Sequence, residues 1–522
     1  MTPRLAAWLL LLAWVVSAGT APAGTPETFT DKYPDGTVRR TVTGGRSLNG
    51  EPVYDGPCVE WHPGGAKARE GAYKAGKMEG LWRASDELGR LLEEGNWKAG
   101  LRDGPWRTWH PDGSLREIGA FDAGRRHGPW KTYRAGGKPI DEGDWKEGSR
   151  TGPWIFWDSC GLAIAERGEY HEGRRQGKWL AWSEDRQQLT EAEYSGGELD
   201  GAWTTWLLRG DSRVRKLEEG RYLAGRREGT WSSWYPNGLK RERGLYSAGE
   251  RNGHWSSWKP DGLPAWEGAY EGGVRHGTWV EWSHETGESW LSTTLLKEEG
   301  SYKKGRRHGL WTAWYDGSTK RYEIEYRDGD RHGRWQEWHE KGRGKLSEGS
   351  YTGDQRSGRW TWWHESAGDG PQQKRREGEF RDGHEEGVWT SWHAGGLKKE
   401  EGAYENGLRT GPWTVWDSSD RLQDKQDHER AHGAVGPLAA WDAGQHKRAA
   451  QGSYRGGERD GKWIFWGADG LARTEGTYVA GRKEGTWTTW YDETSKRSEG
   501  KYEAGRELPP WNRWDRRGDA LP

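Results

Sequence analysis

The chain has 522 residues, of which only 31% are hydrophobic, although 41 are Trp and 82 are Gly. The low hydrophobic share argues against three or four domains with aliphatic cores, and the tryptophans argue against a disordered chain. With 80 basic and 81 acidic residues the formal net charge is −1, which argues against a nucleic-acid-binding protein.

Residues 1–23 have the pattern of a signal peptide. Arg4 precedes an apolar run over residues 5–16, and small residues follow as far as Ala21-Pro22-Ala23. A basic start, a short apolar run and an Ala-x-Ala site predict export and cleavage, with an uncleaved anchor as the alternative. The run is too short to cross a bilayer. We therefore expect a secreted, periplasmic or cell-envelope protein that is not transmembrane after cleavage.

A repeated pattern fills nearly all of the remaining chain. Residues 24–49 resemble an N-terminal cap or half-repeat, residues 50–514 form a tandem array, and residues 515–522 are a tail. The pattern is aromatic-x-x-Gly-x-x-x-Gly-x-Trp, and most repeats follow each other after 24 or 25 residues. We call its Trp the lead Trp. The 19 lead positions are Cys58, Trp82, Trp106, Trp130, Trp154, Trp179, Trp203, Trp231, Trp255, Trp279, Trp311, Trp335, Trp360, Trp389, Trp413, Leu438, Trp463, Trp487 and Trp511.

Each repeat predicts one β-hairpin. Glu-Gly-x-Tyr and Gly-x-Trp-x-x-Trp are short, aromatic-rich segments bounded by turn residues. The turn between them has a constant length and is framed by two glycines, as in Gly225 and Gly229, and we call it the fixed turn. The turn after the second Trp varies in length and often contains Pro and Gly, as in residues 110–113. We predict an all-β fold, an elongated single-layer antiparallel sheet of about 19 hairpins that forms a solenoid-like rod.

The spacing of Gly and Trp also predicts how the sheet packs. A Gly two residues before an aromatic residue faces the same side of the strand and leaves room for a neighbouring ring to cover the backbone. The lead Trp and the second Trp are three residues apart, as in Trp106 and Trp109. A flat strand would place them on opposite faces, so that both faces carry aromatic rows unless a bulge brings them together.

The pattern Glu-Gly-x-Tyr-x-x-Gly-x-x-x-Gly-x-Trp resembles the MORN repeat, and especially its bacterial variant form. The resemblance covers residues 50–514. It implies a sheet of consecutive hairpins that serves as a scaffold for protein or membrane contacts. Some bacterial members of the family carry an antitoxin label, whereas the signal peptide of this chain argues against a cytosolic antitoxin.

The second-Trp row is the first candidate binding surface. A series of flat rings beside polar groups suits stacking on sugar rings, although packing within the sheet is the favoured interpretation. The row includes Trp109, Trp157, Trp182, Trp206, Trp234, Trp258 and Trp282.

Basic residues at the fixed turns are the second candidate surface. Stacked hairpins would line them up as a basic rim for an anionic partner. Neutralisation of these residues by neighbouring glutamates is the favoured alternative. Exposed ion pairs of that kind contribute little stability. The rim residues are Arg125, Arg126, Arg174, Arg175, Arg226, Arg227, Arg306 and Arg307.

Other chemistry has little support in the sequence. Cys58 and Cys160 are four repeats apart, too far for a disulfide in a straight rod. The histidines are spread over different repeats, which predicts no metal site. Acidic and nucleophilic residues recur throughout without one distinctive constellation, so we expect no enzyme and no cofactor.

The sequence therefore favours a non-enzymatic extracytoplasmic scaffold that binds a protein or an envelope surface. A carbohydrate- or cell-wall-binding rod that uses Trp stacking is the alternative. An antitoxin- or immunity-like inhibitor is a further one.

Overall fold

The computed structural model describes residues 26–286, 293–315, 318–366, 371–416, 447–467 and 470–522. These residues form 38 β-strands, one 3₁₀ turn at Glu340–Gly342 and no α-helix. The expected repeat at Leu438 and the predicted signal peptide lie outside the described residues. The strands are β1 Glu27–Lys32, β2 Val38–Arg46, β3 Pro52–Trp61, β4 Lys67–Lys74, β5 Lys77–Ser85, β6 Leu91–Lys98, β7 Leu101–Trp109, β8 Leu115–Asp122, β9 Arg125–Tyr133, β10 Pro139–Lys146, β11 Ser149–Trp157, β12 Ile164–His171, β13 Arg174–Trp182, β14 Gln188–Ser195, β15 Glu198–Arg209, β16 Ser212–Leu223, β17 Arg226–Trp234, β18 Lys240–Ser247, β19 Glu250–Trp258, β20 Pro264–Glu271, β21 Val274–Thr286, β22 Thr293–Lys303, β23 Arg306–Trp314, β24 Lys320–Arg327, β25 Asp330–Trp338, β26 Lys345–Thr352, β27 Gln355–Trp363, β28 Lys374–Arg381, β29 His384–Trp392, β30 Lys398–Glu405, β31 Leu408–Trp416, β32 Arg448–Arg455, β33 Glu458–Trp466, β34 Ala472–Val479, β35 Arg482–Trp490, β36 Lys496–Glu503, β37 Arg506–Trp514 and β38 Ala520–Leu521.

The chain divides into an N-terminal unit, residues 1–239, and a C-terminal unit, residues 240–522. Within each unit, every strand pairs antiparallel with the strand before it and the strand after it, as β7 and β9 do with β8. The predicted all-β, antiparallel sheet of hairpin repeats is confirmed. Because strand order follows chain order, each repeat contacts mainly its sequence neighbours.

The fixed turn is tighter than the sequence predicts. Ala224 and Gly225 form a two-residue turn in which both have positive φ angles, 47° and 76°. This is the type I′ arrangement, whose twist matches that of the flanking strands. The sequence predicts that Gly229 frames the turn, and this prediction is wrong. Gly229 lies inside β17 with φ 69°, beside a shift in the β16–β17 register. Positive φ at this glycine forms a bulge, and the three residues 229–231 stand opposite Gly220 alone.

The variable turn follows the predicted chemistry. In residues 110–114, the amide of His110 donates to Ser114 O at 2.9 Å, and Gly113 adopts φ 84°. The Asp112 carboxylate accepts from the Ser114 amide at 2.9 Å and closes the loop. Pro and Gly therefore occupy the turn positions that their backbone preferences require.

Both rims of the sheet carry bonds between successive repeats. At the fixed turns, the Gly124 amide donates to Arg102 O of the preceding repeat at 2.8 Å. At the variable turns, His110 Nε2 lies 2.9 Å from Tyr133 O of the following repeat. These links stagger neighbouring hairpins by a constant step and satisfy backbone groups at the turns.

Candidate functional site

The lead Trp residues form the core of the sheet on one face, which we call the lead-Trp face. Trp413 is 1% exposed and lies flat against Gly402 of the neighbouring strand. A methyl group built on Gly402 would overlap ring atom Cδ2 of Trp413. The indole Nε1 donates to Ala403 O at 3.1 Å, as in most other repeats. The predicted packing of a ring over glycine is therefore present.

Two repeats without this glycine show what it contributes. Ala192 and Ile324 occupy the corresponding positions opposite Trp203 and Trp335. Trp203 Nε1 is buried and has no partner among the described residues, and Trp335 Nε1 turns to Ser347 Oγ at 3.0 Å. Both rings are half-buried, whereas most lead Trp residues are fully buried. A side chain at the glycine position displaces the indole from the neighbouring carbonyl.

Tyrosine and phenylalanine rings link one lead Trp to the next. Tyr302 meets Trp311 edge to face, with centroids 5.1 Å apart and an interplanar angle of 88°. On its other side Tyr302 lies 5.6 Å from Trp279. Edge-to-face pairs are favoured by the ring quadrupoles. Such pairs recur along much of the lead-Trp face within each unit, and its tryptophans serve stability.

One arginine of each predicted basic pair packs on this aromatic row. The guanidinium carbon of Arg307 lies 4.0 Å from the Trp311 ring centroid, and Nη1 is 2.7 Å from Glu298 Oε1. Burial alone would lower the pKa of Arg307, but the hydrogen bonds to Glu298 raise it above its ordinary value. Arg126, Arg175 and Arg227 make the same pair of contacts with their own lead Trp and a strand Glu.

The other arginine of each pair remains exposed at the fixed turn. Arg125, Arg174, Arg226 and Arg306 are all exposed. Arg125 Nη1 lies 3.5 Å from Glu147 of the next turn, with more than half of each side chain accessible. The arginines of the single predicted basic rim therefore separate into two rows, because adjacent strand residues point to opposite faces.

The second Trp lies on the face opposite the lead Trp, which we call the second-Trp face. In β27, Trp360 and Trp362 stack at an interplanar angle of 26° on the lead-Trp face. Thr361 and Trp363 alternate with them, and Thr361 Oγ1 donates to Glu377 on the other face at 3.1 Å. All seven candidate residues are half-buried: Trp109, Trp157, Trp182, Trp206, Trp234, Trp258 and Trp282.

Lysines separate most of the second Trp residues that the structure describes in the C-terminal unit. Lys374 pairs with Trp363 on the preceding strand, and its Nζ lies 5.8 Å from the Trp392 ring centroid on the following strand. Lys398 repeats this arrangement between Trp392 and Trp416, at 5.6 Å. Each amine also pairs with a Glu three residues later, at 2.7 Å and 2.5 Å. The same placement occurs at Lys297, Lys320 and Lys345, with Glu299, Glu323 and Glu348 as partners.

The N-terminal unit has apolar residues at most of these lysine positions. Leu115 pairs with Trp109, Ile164 pairs with Trp157, and Leu189 pairs with Trp182. The second-Trp face is therefore apolar in much of one unit and zwitterionic in the other. This difference was not predicted above, although it is visible in the sequence at the first residue after each variable turn.

The cysteines differ in environment. Cys58 occupies a lead-Trp position, is 1% exposed and packs against Val42 and Trp82. Burial, with a smaller contribution from Glu60, raises its pKa to about 11. Cys160 is exposed. In the described parts of the chain, no group of three or more His, Cys, Asp or Glu side chains is positioned to hold a metal ion.

Comparison with known families gives a match within this repeated frame. Residues 102–123, one turn of the pattern through β7 and β8, match the MORN repeat variant. Residues 102–123 are thus similar to one MORN repeat, and the other repeats of the chain share the same pattern of Gly and aromatic residues. No curated protein matches the sequence.

One solved structure aligns over 93% of this chain and 27% of its own, with 10% identity and a TM-score of 0.12: "Crystal Structure of TcdB2-TccC3-Cdc42". This low similarity carries no argument. Among the described residues, no helix has the length and hydropathy needed to cross a membrane.

Proposed function

We propose that this chain is an exported, non-enzymatic MORN-repeat scaffold that binds an extended protein or envelope-surface partner along its second-Trp face. The observation that carries the proposal is the repeated, half-buried second Trp on the face opposite the aromatic core. Those rings recur once per hairpin, or every two strands, which corresponds to ~9.6 Å along a flat sheet. A partner that follows the sheet would meet the same chemistry in successive repeats.

The lead-Trp face is a weaker candidate for partner binding because its rings are already packed against other side chains of the sheet. Trp279 and Trp311 have no measurable exposure, and tyrosines and arginines fill the space between and above them. The second Trp rings keep part of their surface accessible. Aromatic side chains of this kind dominate the energetics of many interfaces because they bring large area at a low entropy cost.

The engagement of the repeated carboxylates supports a non-enzymatic role. Glu117, Glu166 and Glu298 occupy corresponding positions, and each pairs with a fixed-turn arginine of its own hairpin. Those arginines in turn lie over a lead Trp. The carboxylates are therefore used in packing the repeat rather than presented together at one reacting centre.

Export rests on the leader pattern in residues 1–23. Expression of the full chain in a bacterial host, followed by fractionation and N-terminal sequencing, tests it. We expect the protein in the periplasm or medium, starting just after Ala23. Recovery of the uncleaved chain in the cytosol would contradict the proposed location but would leave the binding surface unaffected.

The binding role is tested by a pull-down from envelope extracts with residues 24–522 as bait. Two triple variants remove flat rings from either unit while keeping apolar volume: Trp157→Leu/Trp182→Leu/Trp206→Leu and Trp338→Leu/Trp363→Leu/Trp392→Leu. We expect at least one triple variant to capture much less partner than the parent chain. Comparison of the two triple variants shows which unit binds. Circular dichroism and lead-Trp fluorescence verify that each variant is folded.

Matched controls remove exposed side chains from the same face near the fixed turns, as in Arg334→Ala/Arg359→Ala/Val388→Ala. This variant should bind like the parent chain. Each single Trp→Leu change should weaken binding only a fewfold, because the footprint is spread over repeats. Complete loss from one single change in a folded protein, or no loss from either triple, would refute a distributed second-Trp interface.

A neutral β-1,4-linked glycan is the second candidate partner. The recurrence of the second Trp at ~9.6 Å is close to the length of a disaccharide in such an extended chain. Titration with soluble oligosaccharides of increasing length should then quench Trp fluorescence, with affinity rising as the chain spans more repeats. A flat titration with cell-wall and chitin-type oligosaccharides would eliminate this candidate and leave a protein partner.

A further inference from the structure

A cleft opens on the lead-Trp face where β28 to β31 approach their variable turns. Its volume is about 480 Å³. Ser391 lines the cleft, lies two residues after lead Trp389 and is only 9% exposed. Its Oγ is buried and has no hydrogen-bond partner among the described residues. A buried hydroxyl without a partner loses its bonds to water on folding, so it favours a ligand acceptor in the cleft.

The corresponding serine of another repeat shows that this state is not imposed by the fold. Ser257 also lies two residues after a lead Trp and is 8% exposed. Its Oγ donates to Arg241 O at 3.1 Å. The repeat can therefore satisfy a buried serine at this position, and Ser391, which lines the cleft, differs in having no partner among the described residues.

Two cations line the same cleft without a carboxylate partner among the described residues. Arg375 and Lys399 are exposed, each on the strand next to Ser391, and each lines the cleft. In two other repeats the arginine equivalent to Arg375 is engaged with a ring. Arg321 and Arg497 each lie 5.7 Å from the centroid of a variable-turn Tyr. In the repeat of Arg375, a histidine stands at the position of that variable-turn Tyr.

The remaining charges of the cleft cancel. Arg376 pairs with Glu385 at 2.7 Å, and Arg409 pairs with Glu400 at 2.9 Å. His364 also lines the cleft, and its Nε2 lies 3.0 Å from Trp392 O. Counting the two neutral pairs as zero, the cleft keeps the positive charges of Arg375 and Lys399.

We propose that this cleft is a binding site for a tetrahedral oxyanion, phosphate or sulfate, free or as an ester. Ser391 Oγ donates a hydrogen bond to one anion oxygen, and Arg375 and Lys399 supply the opposing charge. Charge-assisted hydrogen bonds and cation pairs of this kind are the usual means of holding such groups. Trp392 of the proposed partner surface also lines the cleft, but Ser391, Arg375 and Lys399 are not part of that surface, so the anion site does not depend on that proposal.

Isothermal titration of residues 24–522 with inorganic phosphate, inorganic sulfate and glycerol 3-phosphate, at constant ionic strength in chloride, tests the site. We expect saturable binding of at least one anion at one site per chain. Comparison of the free anions with the monoester distinguishes a free-ion site from an ester site. Ser391→Ala should weaken binding about tenfold, the loss of one hydrogen bond to a charged group. Arg375→Gln/Lys399→Gln should weaken it by at least as much.

Two matched variants control for folding and for net charge. Ser257→Ala removes the serine that has an internal partner, and Arg321→Gln/Arg497→Gln removes the same charge from arginines that stack on Tyr. Both should change anion affinity less than twofold. Absence of saturable binding by the parent chain would overturn the proposal, and so would equal losses in the control variants. Retained affinity in both cleft variants would overturn it as well.

Discussion

At the residue scale, a glycine beneath the lead Trp allows the indole to close against the neighbouring strand. Gly402 allows Trp413 to be buried and to donate to Ala403 O. Ala192 leaves Trp203 half-buried with its Nε1 unpaired among the described residues. A single methyl group at this position is therefore enough to prevent full burial of the lead Trp, because protein interiors are closely packed.

Gly402→Ala should destabilise its repeat by about 2–4 kcal/mol, combining overpacking with a buried unpaired donor. Hydrogen exchange of β30 and β31 measures the local free energy of opening. The reverse change, Ala192→Gly, is the control. It should slow exchange in β14 and β15 by letting Trp203 reach Glu193 O. Equal protection in all three proteins would contradict this role of the glycine.

The two cysteines should differ sharply in reactivity. The thiolate is the reactive form, and burial raises the pKa of Cys58 to about 11. We expect iodoacetamide at neutral pH to modify Cys160 in the native protein and to leave Cys58 unmodified. Mass spectrometry after digestion measures both sites. In denaturant both should react, and rapid native labelling of Cys58 would contradict its placement in the core.

At the element scale, many hairpins are held by an ion pair between their two strands. In these pairs one strand usually supplies Glu and the position after the fixed turn supplies Arg, as in Glu400 and Arg409. In the β28–β29 hairpin the two are exchanged, and Arg376 pairs with Glu385 at 2.7 Å. Arg376 nevertheless lies 4.2 Å from the Trp389 centroid, so the cation still covers the lead Trp.

This exchange predicts a compensating pair of substitutions. Arg376→Glu alone should destabilise the β28–β29 hairpin by about 2 kcal/mol, because it sets two carboxylates together and uncovers Trp389. Arg376→Glu/Glu385→Arg should recover most of that loss, because it recreates the usual arrangement. Denaturant melts followed by hydrogen exchange measure each term. A double variant no more stable than the single one would contradict the pairing.

At the scale of the whole molecule, stability should be a sum of repeats and of contacts between neighbours. Bonds between successive repeats lie at both rims, as from the Gly124 amide to Arg102 O and from His110 to Tyr133 O. Removing one full period therefore preserves every type of contact, whereas removing part of a period does not.

Deletion of residues 458–481 removes one period of 24 residues, the step from Trp463 to Trp487. The shortened chain should fold, with unchanged strand content per residue by circular dichroism and a modest loss of unfolding free energy. Deletion of residues 458–469 is the control. It joins mismatched halves of the pattern and should disrupt the adjoining hairpins. Global unfolding after the full-period deletion would contradict local, additive stability.

The sequence by itself determined the repeat frame, the strand positions and the packing of rings over glycine. These follow from local spacing, because alternation along a strand and turn chemistry are encoded within one repeat. Even the weak repeats at Ala192 and Ile324 are visible as lost glycines.

Tertiary structure alone decided how neighbouring strands share their side chains. The fixed turn is two residues long, and Gly229 forms a bulge inside β17, although the sequence pattern marks the turn glycine and the bulge glycine alike. That bulge and the strand register turn Arg307 onto Trp311 and leave Arg306 at the rim. They also bring Ser391 between Arg376 and Glu400 on its two neighbouring strands. Such contacts depend on register across strands, which spacing along a single strand does not specify.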